Sequence, residues 1–246
     1  MIDVRELKNY AKTKEMDSWQ AEKEYLICMF LHSYYSKYDS AVFKGGTSFK
    51  LFNDLNRFSE DLDFYIKNPG KFRTEVHDAL NRLMDFGIEF SIKKEEIFEK
   101  AYTITIKFKG PLYNGQEQTK NSIRIDAGYR IGLINRPEYL PLTSRFSDTP
   151  TTLIKVMDFD ERFAEKISAI FSRQKGRDWY DAYFYHRIVK LNKQLLYAKI
   201  GQKPTKAPLI NKREYTNDLK PLLKIFIDYE TVIPTITKYL NAFLKK

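Results

Sequence analysis

The chain has 246 residues, long enough for one large domain or two small ones with a substantial buried core. Its 42 Lys and Arg against 32 Asp and Glu give a net charge of +10, which favours a polyanionic partner, nucleic acid first. A lysine-rich surface from an AT-rich genome is the alternative explanation. The single cysteine, Cys28, excludes an internal disulfide and a multi-cysteine zinc site. No apolar run approaches the ~20 residues of a membrane span, and no signal-peptide segment is visible, so we expect a cytoplasmic protein with no membrane partner.

Two helices are predicted before the first strand. Asp3 is placed to cap a helix that runs to Lys14. Asp17 and Gln20 have the spacing of a capping box for a second helix over about 20–35. The second helix is apolar nearly all round, and we therefore expect it to be deeply buried.

The stretch Val42–Ile66 predicts a strand, a glycine turn, a short helix, a loop and a second strand. Gly45 and Gly46 form the turn, where the backbone can approach a ligand and N–H groups at a helix start can face an anion. Asp61 and Asp63 share one face of the second strand. Because two carboxylates so close repel each other, a cation is expected to join them. Oxygen ligands suit Mg²⁺, which takes further ligands from substrate phosphates.

Taken singly, a Gly-Gly pair is usually only a turn, and Asp-x-Asp on a strand is often a solvated face. Here fourteen residues lie between Gly46 and Asp61, which resembles the glycine turn and Asp-x-Asp pattern of the nucleotidyltransferase superfamily. The fuller segments 43–47 (FKGGT) and 57–64 (RFSEDLDF) resemble the AbiEii/AbiGii toxin family. Members of that family are nucleotidyltransferase toxins of type IV toxin–antitoxin and abortive-infection systems.

Further strands are predicted after a helix that Asn68 and Pro69 open. In the strand 122–127, Arg124 and Asp126 face away from the apolar residues. By resemblance, Asp126 is the third carboxylate of the site, which this fold supplies from a neighbouring strand. From the residues alone, Asp126 could equally be a solvated strand residue.

A second family signature follows in the segment 164–181, where Ala164-Glu165-Lys166 precedes an Arg-Asp-x-Tyr-Asp run. The resemblance implies that Lys166 and Asp178 bind the nucleotide. Periodicity alone would let Lys166 snorkel from the edge of an apolar helix stripe. Asp178 and Asp181 could simply cap a helix over 179–191 and complement its dipole.

The expected fold class is α+β, a nucleotidyltransferase fold with a small mixed β-sheet flanked by helices, plus a C-terminal helical lobe. We expect residues 1–158 to form the core with its N-terminal helices and residues 159–246 to form the lobe. A loop over 136–150, an edge strand over 153–157 and final helices over 218–229 and 231–244 complete the assignment. The segment 203–246, with nine Lys and Arg against four Asp and Glu, has no assigned partner.

The mechanism that this reading implies is nucleotidyl transfer with NTP as substrate. Asp61, Asp63 and Asp126 would hold two Mg²⁺ ions, and Asp126 would also orient the attacking hydroxyl. Nucleotide contacts are expected from two further groups. The first is Gly45, Gly46 and Thr47 with Ser59, although the Ser59 hydroxyl could equally satisfy its own backbone. The second is Lys166, which would neutralise the leaving pyrophosphate, with Asp178.

The acceptor is left open by the residues. The resemblance implies a toxin whose relatives include enzymes that extend the 3′ end of tRNA and so block translation and growth, and a cognate antitoxin encoded beside it. The alternatives are a protein-modifying toxin, a nucleotide-binding module without chemistry, and a small-molecule nucleotidyltransferase. The last would need an acidic pocket for a cationic drug, which the basic composition disfavours.

Overall fold

The structure is a computed structural model that describes residues 1–129, 131–143 and 145–245. Those residues form seven strands in one mixed sheet and nine α-helices. The strands are β1 (Val42–Lys44), β2 (Leu62–Tyr65), β3 (Glu89–Ile97), β4 (Ala101–Lys109), β5 (Asn121–Gly128), β6 (Glu138–Leu142) and β7 (Thr152–Val156). The helices are α1 (Val4–Thr13), α2 (Ser18–Tyr35), α3 (Gly45–Phe52), α4 (Pro69–Leu83), α5 (Phe159–Ser172), α6 (Gly176–Tyr185), α7 (Lys193–Ile200), α8 (Lys212–Leu219) and α9 (Tyr229–Lys245). The expected α+β class is confirmed.

The chain divides into two compact units. The first unit contains Met1–Phe52, Glu60–Arg130 and Pro137–Val156, and it holds the whole sheet with α1 to α4. The second unit contains Asn53–Ser59, Ile131–Arg136 and Met157–Lys246, and it holds α5 to α9. No helix in the described ranges is long and apolar enough to cross a membrane.

The sheet is mixed because two of its six strand pairs are parallel. Its order is β3-β4-β5-β2-β1-β7-β6, with parallel pairing between β2 and β5 and between β1 and β7. The strand β2 lies between β5 and β1, and it is antiparallel to β1. The short strand that follows the predicted loop is therefore at the centre of the sheet, with a neighbour on each side.

One face of the sheet packs against α2 and α4. Phe64 of β2 contacts Tyr34 of α2 and Phe72 of α4, with ring centroids 6.1 Å and 5.4 Å apart. Ile104 of β4 and Ile125 of β5 are also buried in this core. Since side chains alternate along a strand, the residues between these apolar positions project from the opposite face.

The predicted caps of the N-terminal helices are confirmed, although α2 begins at Ser18, two residues earlier than predicted. The Asp3 carboxylate accepts a hydrogen bond from the backbone N–H of Glu6 at 2.7 Å. Asp17 and Gln20 form the predicted capping box of α2, and α2 is buried along most of its length. Asn68 caps α4 with Pro69 at its first position.

Two strand assignments made from the sequence are wrong. The stretch 136–150, predicted as a loop, contains the edge strand β6, and β7 lies between β1 and β6 instead of at the edge. Pro141 is tolerated in β6 because an edge strand can leave one side of its backbone without a sheet partner. The strand was therefore missed because proline in this stretch favours the prediction of a loop.

The helices of the second unit also differ from prediction. Asp158 caps α5 as expected, by accepting from the N–H of Glu161. The helix predicted over 179–191 is α6, which ends at Tyr185, and Asn192 caps the separate helix α7. The helix predicted over 218–229 is absent as such: α8 ends at Leu219, and only a single 3₁₀ turn follows over Lys220–Leu222, where Pro221 offers no N–H.

Candidate active site

Four side chains on adjacent strands form one row on the sheet face opposite α2 and α4. The backbone register pairs Lys44 of β1 with Asp63 of β2, and Asp63 with Asp126 of β5. Asp126 is in turn paired with Thr103 of β4. Because directly paired residues project from the same face, Asp63 and Asp126 are lateral neighbours. The structure therefore places Asp126 on the same side of the sheet as Asp63.

Asp61 lies one residue before β2 and completes the acidic group. Burial raises the pKa of the Asp61 carboxyl to about 6, and the negative charges of Glu60, Asp63 and Asp126 contribute to the same rise. Like charges disfavour ionisation only when they are close. The electrostatics therefore agree with the register in grouping Asp61 with Asp63 and Asp126.

Asp126 is held by two neighbours on its own sheet face. The Thr103 hydroxyl donates to Asp126 Oδ1 at 2.7 Å. The Arg124 guanidinium contacts both carboxylate oxygens, with Nε at 2.8 Å from Oδ2 and Nη2 at 3.0 Å from Oδ1. Arg124 thus supplies part of the positive charge that three neighbouring aspartates require.

The three aspartates are candidate ligands of a divalent ion. In the ranges that the structure describes, no group of three or more His, Cys, Asp or Glu side chains has the arrangement of a metal site. The chemistry nevertheless fits, because Asp61, Asp63 and Asp126 offer only carboxylate oxygens, which Mg²⁺ prefers. Burial, and then the charges of Glu60, Asp63 and Asp126, raise the pKa of Asp61, and a bound cation would favour its ionised form.

Gly45 lies directly against Asp63. A Cβ atom at position 45 would be 2.1 Å from Asp63 Oδ2, so no side chain fits there without moving the carboxylate. Gly45 also has a φ of +76°, a conformation that L side chains rarely adopt. This position therefore requires glycine for two independent reasons. It is the first residue of α3, where backbone N–H groups have no helical partner.

We call Gly45, Gly46, Thr47 and Ser59, which are predicted to contact the nucleotide, the phosphate cradle. Its residues other than Gly45 have different surroundings. Gly46 and Thr47 follow in the first turn of α3, and both are buried. The Thr47 hydroxyl donates to the backbone carbonyl of Asp61 at 2.5 Å, which ties the start of α3 to the acidic strand. Ser59 lies in coil, since β2 begins only at Leu62, so strand alternation does not relate Ser59 to Asp61.

A buried lysine reaches the same region from α2. Lys23 is 7% exposed, and its Nζ lies 2.5 Å from Glu60 Oε2, next to Asp61 in sequence. Its ammonium group also stands over the Trp19 ring at 5.6 Å. The positive charge of Lys23 opposes the rise in the pKa of Asp61. Lys23 therefore links the most buried helix to the segment that carries the acids.

Lys166 and Asp178 lie together in the second unit, within a buried ion-pair network. The Lys166 Nζ is 3.1 Å from Asp178 Oδ1 and 2.9 Å from Asp181 Oδ2. Arg57 binds both carboxylate oxygens of Asp181, at 2.6 Å and 2.8 Å. Arg173 binds both carboxylate oxygens of Asp178, at 2.6 Å and 2.9 Å. Three cations thus surround two carboxylates.

The network sets the protonation of its members. Burial alone would raise the pKa of the Asp178 carboxyl, but Lys166 and Arg173 together lower it to about 2. Burial alone would lower the pKa of Lys166, but Asp181 and then Asp178 raise it above its ordinary value. Both groups are therefore held in their charged forms. Asp178 does not cap α6, because its oxygens accept from side chains instead.

Several residues of these clusters were missed from the sequence. They are Lys44, Thr103 and Arg124 on the sheet face, Lys23 on α2, and Arg57, Asp181 and Arg173 in the second unit. Arg124 could have been predicted, because it is two residues from Asp126 on one strand and so shares its face. Thr103 could not have been predicted, because the local sequence does not determine the strand register that pairs it with Asp126.

The chain matches a known protein family over most of its length. The family model described as nucleotidyl transferase AbiEii toxin, type IV toxin–antitoxin system, matches residues 32–233. That range includes every site residue predicted from the sequence. Comparison with curated protein sequences found no significant match.

Solved structures share the fold at low sequence identity. MenT4, a nucleotidyltransferase toxin from Mycobacterium tuberculosis, is similar with a TM-score of 0.74 and 16% identity, covering 100% of this chain and 90% of that chain. JHP933 from Helicobacter pylori is similar with a TM-score of 0.60 and 18% identity, covering 92% of this chain and 93% of that chain. At such identities the similarity establishes the fold.

Proposed function

The chain belongs to the AbiEii family of nucleotidyltransferase toxins of type IV toxin–antitoxin systems, and on that premise we propose that it adds a nucleoside monophosphate from an NTP to the 3′ end of tRNA. The observation that carries the proposal is the register that pairs Asp63 with Asp126 on adjacent strands, beside Asp61. Modified tRNA could no longer be charged, so translation and growth would stop. We expect this to occur in the cytoplasm, where NTPs and tRNA are abundant.

The three aspartates are proposed as the ligands of two Mg²⁺ ions. Bound Mg²⁺ supplies Lewis-acid stabilisation of the oxygens that attack and leave at the α-phosphorus. Asp126 is our candidate to orient the attacking 3′ hydroxyl through a hydrogen bond. Thr103 and Arg124 support this role, because they fix the direction of the Asp126 carboxylate. Asp61 and Asp63 would lose their mutual repulsion when the cation binds.

The start of α3 is proposed to bind the triphosphate. Gly45 has no side chain to block an approaching phosphate, and Gly46 and Thr47 offer backbone N–H groups in the first turn of the helix. The Thr47 hydroxyl donates to the backbone carbonyl of Asp61. Its contribution would be to fix the position of the phosphate cradle relative to the acidic residues. Ser59 is a further nucleotide-binding candidate on the resemblance alone.

Lys166 and Asp178 are proposed to bind the nucleotide. The support is their place in the family signature and the positive excess of the network around them. Lys166 would neutralise the leaving pyrophosphate as a point charge, and Asp178 would hold Lys166 in position. We also propose that residues 1–158 form the catalytic core and residues 159–246 a C-terminal helical lobe.

A radiolabel assay tests the proposal. Purified protein with [α-³²P]NTPs, Mg²⁺ and total tRNA should label the tRNA, and Asp61→Ala or Asp63→Ala should abolish labelling. Asp85→Ala, in an exposed turn after α4, is the matched control and should label normally. Labelling that survives both active-site substitutions would refute the mechanism. Labelling of protein instead of RNA, or NTP binding without any product, would favour the protein-modifying or binding-only alternatives.

Type IV membership implies a cognate antitoxin as partner. Induction of the wild type without that partner should arrest growth, and Asp63→Ala should not. If both forms arrest growth equally, toxicity does not come from nucleotidyl transfer.

A further inference from the structure

The net positive charge of this protein comes from two segments of the second unit. Residues 182–213 and residues 231–246 contain no Asp or Glu, and together they contain eleven Lys and Arg. The other 198 residues therefore have a net charge of −1. A genome-wide excess of lysine would raise the charge throughout the chain. The segregation instead points to a local function of the positive charge.

The fold packs these two segments against each other. The His186 and Tyr239 rings are in contact, with centroids 5.7 Å apart. The Lys193 ammonium stands over the Phe243 ring at 5.7 Å. The backbone N–H of Ala207 donates to the Asn241 side-chain oxygen at 3.0 Å. The C-terminal half of α9 is thus lined by the turn after α6, the start of α7 and the loop after α7.

Six cations lie within three residues of these contacts along the chain, and we call them the basic surface: Arg187, Lys190, Lys193, Lys206, Lys238 and Lys245. Five of them are exposed, and Lys193 is half-buried against Phe243. Within the described ranges, none of the six forms an ion pair with an Asp or Glu.

Cations of the first unit provide a contrast. Lys107 is paired with Glu117 at 2.8 Å, Lys109 with Glu89 at 2.5 Å, and Arg124 with Asp126 at 2.8 Å. On that sheet an internal acid neutralises each of these basic side chains. The basic surface has no such acids, so its charge is available to a ligand outside the chain.

We propose that the basic surface binds the phosphate backbone of RNA and so docks the acceptor. Lysines act as point charges on phosphates without reading sequence, which suits a ligand with one negative charge per nucleotide. Half-buried aromatic rings, including Tyr239 and Phe243, lie among the cations and offer apolar faces that an acidic polypeptide does not need. The inference that the bound RNA is also the acceptor rests on the proposed function. The inference that RNA binds at this surface is independent of it.

Binding is tested apart from catalysis. The probe is fluorescein-labelled total tRNA, titrated with full-length protein without NTP and followed by anisotropy at several salt concentrations. The variant Arg187→Gln, Lys190→Gln, Lys206→Gln, Lys238→Gln removes four exposed charges that make no ion pair. We expect at least tenfold weaker binding at 0.1 M salt, and a slope of log Kd against log salt reduced by about 3.

A charge-matched control separates position from net charge. Arg5→Gln, Lys8→Gln, Lys12→Gln, Lys14→Gln removes four charges from α1 and its C-terminus, where acidic residues are interspersed. This control should bind tRNA within twofold of wild type. Equal loss in both quadruple variants, or no loss in the first, would overturn the proposal. It would also be overturned if polyglutamate competed as well as unlabelled tRNA at equal charge, because the partner would then be an acidic protein.

Transfer kinetics distinguish this inference from the proposed function. The basic-surface variant should raise KM for tRNA at least tenfold and leave kcat near wild type. Asp63→Ala should bind tRNA normally and transfer nothing. A third outcome is that no RNA is labelled but the basic-surface variant still loses tRNA binding. That outcome would support the RNA-binding surface and refute tRNA as the acceptor.

Discussion

Gly45 and Asp63 are packed so closely that a single methyl group at position 45 would overlap the carboxylate. The Cβ of an alanine there would lie 2.1 Å from Asp63 Oδ2 and 2.8 Å from Asp63 Cβ. The proposed phosphate cradle and the proposed metal ligand are therefore one packed unit. Any change at one of them must move the other.

Gly45→Ala is expected to abolish transfer while leaving most of the protein folded. The positive φ costs roughly 1–2 kcal/mol for alanine, and the overlap displaces Asp63. Gly87→Ala is the matched control, because Gly87 has a φ of +74° and nothing within 4 Å of the added Cβ. In urea unfolding Gly87→Ala should lose only the stability that the positive φ costs, and Gly45→Ala should lose more because of the overlap with Asp63. Only Gly45→Ala should lose activity per folded molecule. Full activity in Gly45→Ala would argue against a role for Asp63.

Thr103→Val should reduce kcat about tenfold, with KM for NTP nearly unchanged. The substitution removes the hydroxyl that donates to Asp126, and a hydrogen bond to a charged group is worth about 1.5–3 kcal/mol. Thr105→Val, on the same face of the same strand, is the control and should retain activity. Steady-state labelling of tRNA measures both. Equal kcat in the two variants would mean that the orientation of Asp126 does not limit the reaction.

Lys23→Met should lower transfer activity more than it lowers stability, and Lys23→Arg should restore much of that activity. The reason is that the Lys23 ammonium pairs with Glu60 and so positions the segment that carries Asp61. In a double-mutant cycle with Glu60→Gln, the coupling should be about 0.5–3 kcal/mol in transition-state free energy. Lys37→Met is the control, since the Lys37–Asp78 pair is exposed and screened by solvent, so that its loss should change little. Additive effects of Lys23→Met and Glu60→Gln would contradict this positioning role.

The stability contributed by Asp178 should depend on pH with a definite sign. Its pKa is about 2 in the folded protein and 3.8 as the ordinary value, so the folded state favours the ionised form. The contribution is therefore complete above about pH 4 and is lost as pH falls toward 2. Asp178→Asn should cost about 3–5 kcal/mol near pH 7, because it leaves buried cations without their partner.

Urea unfolding between pH 3 and pH 7 measures this dependence. The difference between wild type and Asp178→Asn should narrow steadily below pH 4. Asp85→Asn, at an exposed position, should change the unfolding free energy by no more than about 0.5 kcal/mol near pH 7. A difference that stays constant down to pH 3 would show that Asp178 does not act through its charge.

Much of the fold was predictable because its signals are local. The caps at Asp3 and Asn68 depend on residues three positions apart, and the strands β4 and β5 show a clear period of two. The strand β6 was missed because its signal, a short stretch with Pro141, is also that of a loop. The final helix was predicted nearly at its observed bounds, but the helices between residues 186 and 228 were misplaced. Their boundaries depend on Asn192 and Asn211 caps, which are common loop residues as well.

The sequence by itself determined the residue types of the candidate site and the elements that carry them: a glycine turn, an Asp-x-Asp strand and a later strand with Asp126. It also determined where acidic residues are absent. Only the tertiary structure decided that Asp63 and Asp126 are paired, that Gly45 lies against Asp63, and that Lys166 meets Asp178 and Asp181 in one network. The physical reason is that strand order, register and helix packing follow from burying the whole core at once, whereas periodicity and capping depend only on neighbours along the chain.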